Sequence, residues 1–177
     1  MTTMKIAATL RVNGTGYPVE LDPHVSLLDA VREELGLTGS KEGCDDSECG
    51  ACMMLLDGEP VNACSYLALQ AEGHEVTTVE GLAGDEEVGP LQRAFLQQGG
   101  VQCGFCTPGM LVSATALLRR NPDPTEEEIR LGLSGNLCRC TGYRGIVAAV
   151  RQVAEGAVPP LGTAPVHADV TPPHHAG

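Results

Sequence analysis

Residues 41–52 read Lys41-Glu42-Gly43-Cys44-Asp45-Asp46-Ser47-Glu48-Cys49-Gly50-Ala51-Cys52, and the elements on either side show what kind of fold carries this loop. Before it, Ile6 to Val12 has strand character, Asn13-Gly14 is a turn signal, and Tyr17 to Leu21 returns as the second strand of a hairpin. Ser26 then caps a helix with Asp29 at its third position. Leu27, Leu28, Val31 and Leu35 form the apolar face, and Gly36 ends it. After the loop, Met53 to Leu56 is an apolar strand, Asp57-Gly58 turns the chain before Val61, and Glu75 to Val79 reads as a last strand. Met53-Met54 reads as core. Strands gathered around one helix make a small α+β unit.

Eight cysteines fall into two groups of four. The first is Cys44, Cys49, Cys52 and Cys64, with C-x4-C-x2-C spacing and the fourth member beyond the Asp57-Gly58 hairpin. That spacing is the signature of plant-type 2Fe–2S ferredoxin loops. Bridging sulfides spread the ligands over two irons, so one loop must curl around the core, and Gly43 and Gly50 give it positive φ and close approach. The second group is Cys103, Cys106, Cys138 and Cys140, a C-x2-C pair and a C-x-C pair. Cys106 precedes a helix start at Thr107-Pro108, and Cys138 and Cys140 precede another helix. Helix N-termini favour an anionic four-thiolate cluster. Four thiolates with C-x2-C spacing suit a tetrahedral zinc site equally well, so the second group alone leaves zinc open.

The second half reads as helical. Leu91, Ala94 and Phe95 share a face. Thr107 is the expected N-cap of the next helix, with Pro108 at its first position; Met110, Leu111, Ala114, Leu117 and Leu118 form its stripe, and Asn121-Pro122 stops it. Thr125 and Glu128 form a capping box, and Ile146, Val147, Val150, Val153 and Ala154 line a final helix. These four helices suggest a bundle. From Ala157 onward Pro, Gly, Ala and His dominate, as in a flexible tail, where His174-His175 is tail composition.

Apolar residues make up 42% of the 177, aromatics 3%, and tryptophan is absent, so the core is aliphatic. A net charge of −12 argues against nucleic acid as a partner, since phosphate binding needs clustered Lys and Arg. No run of 18 apolar residues exists, which excludes a helical membrane span, and Met1 to Leu10 lacks a signal pattern. Arg119-Arg120 reads as a helix end. A cytoplasmic location follows as the expectation, and eight cysteines in a reducing compartment point to metal over disulfides. His24 and His74 stand isolated, and no hydrolytic triad or dinucleotide fingerprint is present.

With both cysteine sets in hand, the chain resembles the iron–sulfur subunit of the molybdenum hydroxylases, the xanthine dehydrogenase, aldehyde oxidoreductase and carbon monoxide dehydrogenase family. The segments that carry the likeness are Lys41-Glu42-Gly43-Cys44, Glu48-Cys49-Gly50-Ala51-Cys52, Gln102-Cys103-Gly104-Phe105-Cys106-Thr107-Pro108-Gly109 and Gly135-Asn136-Leu137-Cys138-Arg139-Cys140-Thr141-Gly142-Tyr143.

The resemblance implies a β-grasp ferredoxin-like domain over residues 1–80, an all-α four-helix-bundle domain over 81–156, and a tail over 157–177. It implies two 2Fe–2S clusters: Cys44, Cys49, Cys52 and Cys64 hold one facing a flavin, and Cys103, Cys106, Cys138 and Cys140 hold one facing a molybdopterin. Gln102 and Cys140 match positions against the pterin. The implied partners are a large molybdopterin-binding subunit and an FAD-binding medium subunit, assembled as a dimer of heterotrimers. Electrons would pass singly through the Cys103 cluster, then the Cys44 cluster, then FAD, and the choice of substrate would rest with the large subunit. Ser47 departs from the pattern by standing where the family has glycine; if φ > 0 is needed there, serine costs about 1 kcal/mol. A free-standing two-cluster ferredoxin and a structural zinc module are the competing readings.

Overall fold

The computed structural model describes residues 4–84 and 88–157; the expected tail beyond Ala157 lies outside them. The chain is α+β. Strands β1 (Ile6–Val12) and β2 (Thr15–Leu21) pair antiparallel around Asn13 and Gly14, both at positive φ. A short helix α1 (Leu27–Asp29) follows, capped by Ser26, whose Oγ accepts from the Asp29 N–H at 3.0 Å and donates to the Asp29 carboxylate at 2.7 Å. The expected α-helical run to Leu35 is not regular: over Ala30–Glu34 it widens into a π turn. The wider turn keeps Leu27, Leu28, Ala30 and Val31 all buried against the sheet.

Strands β3 (Met53–Leu56) and β4 (Glu59–Asn62) form a second antiparallel hairpin, and β5 (Glu75–Thr77) completes the sheet. The strand order is β2-β1-β5-β3-β4, with β1 parallel to β5 and the other pairs antiparallel. β5 stops short of Val79 because the Thr78 N–H donates to the Asn13 side-chain oxygen at 2.9 Å, while Asn13 Nδ2 donates back to Thr78 Oγ1 at 2.9 Å. That exchange turns the chain into a 3₁₀ turn at Val79–Gly81.

Among the described residues four helices then follow: α2 (Pro90–Gln97), α3 (Thr107–Arg120), α4 (Glu126–Gly132) and α5 (Arg144–Ala154). They share a core in which Phe95, Met110, Ile129, Ile146 and Val150 are fully buried, each such side chain contributing roughly 1.5–3 kcal/mol. Thr125 and Glu128 make the expected reciprocal cap of α4. Thr107 does not cap α3. Cys106 occupies that place, its carbonyl accepting from Met110 N at 3.0 Å, and Thr107 Oγ1 is buried without a partner.

The two halves meet where α3 lies on β3. Alternate residues of a strand face opposite sides of the sheet, so Met54 joins the core with α1 while Met53 and Leu55 pack against Val112 and Ala116 of α3. β3 leads directly out of the Cys52 loop and α3 directly out of the Cys106 loop, so this contact fixes the two cysteine loops against each other.

Candidate metal centres

The first centre is built from the 44–52 loop and the turn after β4. Gly43 has ordinary φ, contrary to expectation; its role is space, since a Cβ there would lie 2.8 Å from Cys49 Sγ. Gly50 does adopt positive φ, at 68°, and so do two non-glycine residues, Asp45 at 56° and Ser47 at 66°. These reversals let the loop curl inward, and they bring the Cys49 N–H to 3.4 Å from Cys44 Sγ, an amide aimed at sulfur. Cys64 is delivered by the turn that follows β4, pinned where Leu28 N donates to the Ala63 carbonyl at 3.0 Å. Burial pushes the Cys52 thiol up to about 12, with Cys64 and Cys49 adding to the rise. Burial also raises Cys49, with Cys44 and Cys64 as contributing neighbours.

The second centre joins the loop before α3 to the loop before α5. Cys140 and Cys103 sulfurs lie 3.6 Å apart. Burial pushes the Cys106 thiol up to about 12, reinforced by its neighbours Cys138 and Cys103. For Cys138, burial acts upward but is outweighed by hydrogen bonds from Thr141, whose hydroxyl lies 3.1 Å from the sulfur, and its thiol falls below the ordinary value. Tyr143, at φ 66°, turns its hydroxyl back to accept from Cys138 N at 2.8 Å. The cysteines and Phe105, Leu137 and Arg139 line a cavity of about 480 Å³. Gln102, Cys103 and Cys140 are exposed at this centre.

A seam joins the centres. Leu137 N donates to the Cys49 carbonyl at 2.9 Å, and buried Asn136 donates Nδ2 to the Gly50 carbonyl at 3.0 Å. Gly109, in the first turn of α3, lies so close that a Cβ would meet the Gly50 oxygen at 2.1 Å. Asn136 and Gly109 stand in the quoted motifs, but their role depends on a partner far away in sequence and was not foreseen. Nor was the side chain of His74, which reaches Asp57 at 2.6 Å.

All eight cysteines are free thiols. Four thiols per centre, close-packed glycine and amides directed at sulfur fit 2Fe–2S groups.

Comparison with known proteins agrees. Residues 10–83 match the "2Fe-2S iron-sulfur cluster binding domain" and residues 78–151 the "[2Fe-2S] binding domain". The nicotinate dehydrogenase small FeS subunit of Eubacterium barkeri is 52% identical, over 85% of this chain and 96% of that one. The xanthine dehydrogenase iron–sulfur-binding subunit of Escherichia coli O157:H7 is 46% identical, over 78% and 88%. Quinoline 2-oxidoreductase from Pseudomonas putida 86 superposes with a TM-score of 0.84 at 45% identity, over 87% of this chain and 96% of that one. Aldehyde oxidoreductase from Desulfovibrio gigas gives 0.80 at 44%, over 84% of this chain but 17% of that longer one.

Proposed function

Because the chain belongs to the iron–sulfur small-subunit family of the molybdenum hydroxylases, we propose that it is the electron relay of such a complex, linking a molybdopterin-binding large subunit to an FAD-binding medium subunit. Residues 1–80 act as a β-grasp ferredoxin-like domain and 81–156 as a four-helix-bundle domain. Cys44, Cys49, Cys52 and Cys64 hold the flavin-side cluster. Cys103, Cys106, Cys138 and Cys140 hold the molybdenum-side cluster, with Gln102 and Cys140 presented to the pterin. The assembly is a cytoplasmic dimer of heterotrimers, a location that eight free thiols favour.

When bound, a 2Fe–2S group supplies one-electron storage, which no side chain here offers. The chain's own residues do the rest. The thiols give up their protons to bind. Gly43 and Gly50 let backbone approach sulfur, the Cys49 N–H lowers the cost of added negative charge at Cys44, and Thr141 does the same at Cys138. Exposed Cys103 and Cys140 leave one edge of the second centre open to a partner.

The observation that carries this reading is the 2.9 Å bond from Leu137 N to the Cys49 carbonyl. Cys49 is itself one of the first four thiols and Leu137 adjoins Cys138, so bonded atoms run without a gap from one centre to the other. The four relatives above, named for nicotinate, xanthine, quinoline and aldehyde oxidation, are 44–52% identical, which supports a substrate choice made outside this chain.

Purification from the native source tests the assignment. Co-purification with a molybdenum-containing and an FAD-containing subunit is expected, and Gln102→Ala should leave both clusters assembled while slowing their reduction by substrate. A chain that runs alone would exclude the subunit role, and unchanged reduction kinetics would remove Gln102 from the site.

A further inference from the structure

Three polar residues that are not among its thiols link the two segments of the first centre. Ser47, between Cys44 and Cys49, sits at φ 66°, a region that disfavours residues with a Cβ. Its carbonyl accepts Asn62 Nδ2 at 3.0 Å, and its hydroxyl donates to the Ser65 hydroxyl. Ser65 adjoins Cys64, and its N–H and hydroxyl both reach the Asn62 carbonyl, each at 3.2 Å. The chain of bonds runs from the loop carrying Cys44 and Cys49 to the turn carrying Cys64. Ser65 is exposed and Ser47 half-buried, so the bonds form at the surface of the centre.

We propose that Ser47 and Ser65 are positioning residues that strap the Cys64 turn to the 44–49 loop, setting both the lifetime and the reduction potential of the first cluster. The inference rests on the reading that Cys44, Cys49, Cys52 and Cys64 hold a 2Fe–2S group. Glycine at position 47 would relax the backbone but could not reach Ser65; the hydroxyl bond is what serine supplies in return for strain. With the strap open, the Cys64 turn and the loop separate and water reaches sulfur. Hydration stabilises the more negative, reduced cluster, so the potential rises and iron is lost faster. The second centre takes no part in the strap and serves as an internal reference.

The test uses the full complex with Ser47→Ala, Ser65→Ala and the double variant. Low-temperature EPR follows each cluster's signal during challenge with an iron chelator and during a redox titration. Ser47→Ala is expected to speed loss of the first-cluster signal about fivefold, the factor one net hydrogen bond is worth; Ser65→Ala, which also loses its hydroxyl bond to the Asn62 carbonyl, should do so at least as much, and both should shift the potential upward. The double variant should be no worse than Ser65→Ala, which already removes both the Ser47–Ser65 bond and the hydroxyl bond to the Asn62 carbonyl. The second-cluster signal should not change. Unchanged decay and potential in Ser65→Ala, which leaves the backbone unstrained, would overturn the strap, as would additive effects in the double variant or equal changes in both signals. If Ser47→Ala does not assemble, Ser65→Ala decides alone. A Cys49→Ser complex that kept both signals would overturn the ligand reading and the strap with it, whereas a lost first signal there with a silent Ser65→Ala overturns the strap alone.

Discussion

The side chain of Asn136 donates Nδ2 to the carbonyl of Gly50 at 3.0 Å across a separation of 86 residues. Asn136 is 3% exposed, and its Oδ1 has no partner. It therefore spends a buried amide on a single contact, the one that locks the Cys49–Gly50–Ala51 turn to the loop leading into Cys138. Asn136→Ala leaves the Gly50 carbonyl buried and unpaired, which costs about 1–3 kcal/mol. A lower thermal midpoint for the assembled chain and slower electron exchange between the clusters are expected in rapid-mixing experiments. Asn136→Asp should be worse, since it buries a charge facing an oxygen. Wild-type exchange rates in both variants would remove the seam from the electron path.

Gly109 makes the complementary contact. A Cβ at this position would lie 2.1 Å from the Gly50 oxygen and 3.1 Å from Asn136 Nδ2. The neighbour is backbone within a cysteine loop, so the clash cannot be relieved by a rotamer change. Gly109→Ala is expected to displace α3 from the first loop, lower the melting temperature and reduce the iron content of both centres. The helix propensity of alanine acts the other way by about 1 kcal/mol, so a stabilised, fully loaded variant would show that the close approach is not required.

Much of this was legible in the chain itself. Strand β1, both hairpin turns and the Ser26 and Thr125 caps all follow from local pattern. Ser47 stands out in the sequence as a place where φ > 0 would strain a non-glycine residue, and it has φ 66°. What local pattern missed depends on distant partners. Thr107 has the composition of an N-cap, yet Cys106, already at helical φ and ψ, takes that place with its carbonyl accepting from Met110 N. β5 ends early because Asn13, far upstream, captures the Thr78 amide. The widening of the α1 run follows from packing against the sheet, which its apolar spacing does not reveal. His74 looks isolated in sequence because Asp57 lies on another turn.

The Asp57–His74 pair gives a pH signature. The hydrogen bond from His74 is the main cause that holds the Asp57 carboxyl below its ordinary value, with the Glu75 N–H adding to it. A carboxyl depressed in the folded state stabilises the fold above its unfolded pKa, and that stability is lost as pH falls through the folded one. Asp57→Asn should therefore melt below the wild type at pH 6, with the difference closing as pH drops below about 4. A difference that stayed constant down to pH 2 would mean that the charge contributes nothing.

The central claim is that two separate sets of four thiols each hold a 2Fe–2S group, and low-temperature EPR of the dithionite-reduced complex tests it most directly in wild type, Cys49→Ser and Cys106→Ser. The wild type should show two distinct signals with about four irons and four acid-labile sulfides per chain. Cys49→Ser should abolish one signal and Cys106→Ser the other. A single signal, a colourless zinc-loaded chain, or both substitutions removing the same signal would contradict the assignment.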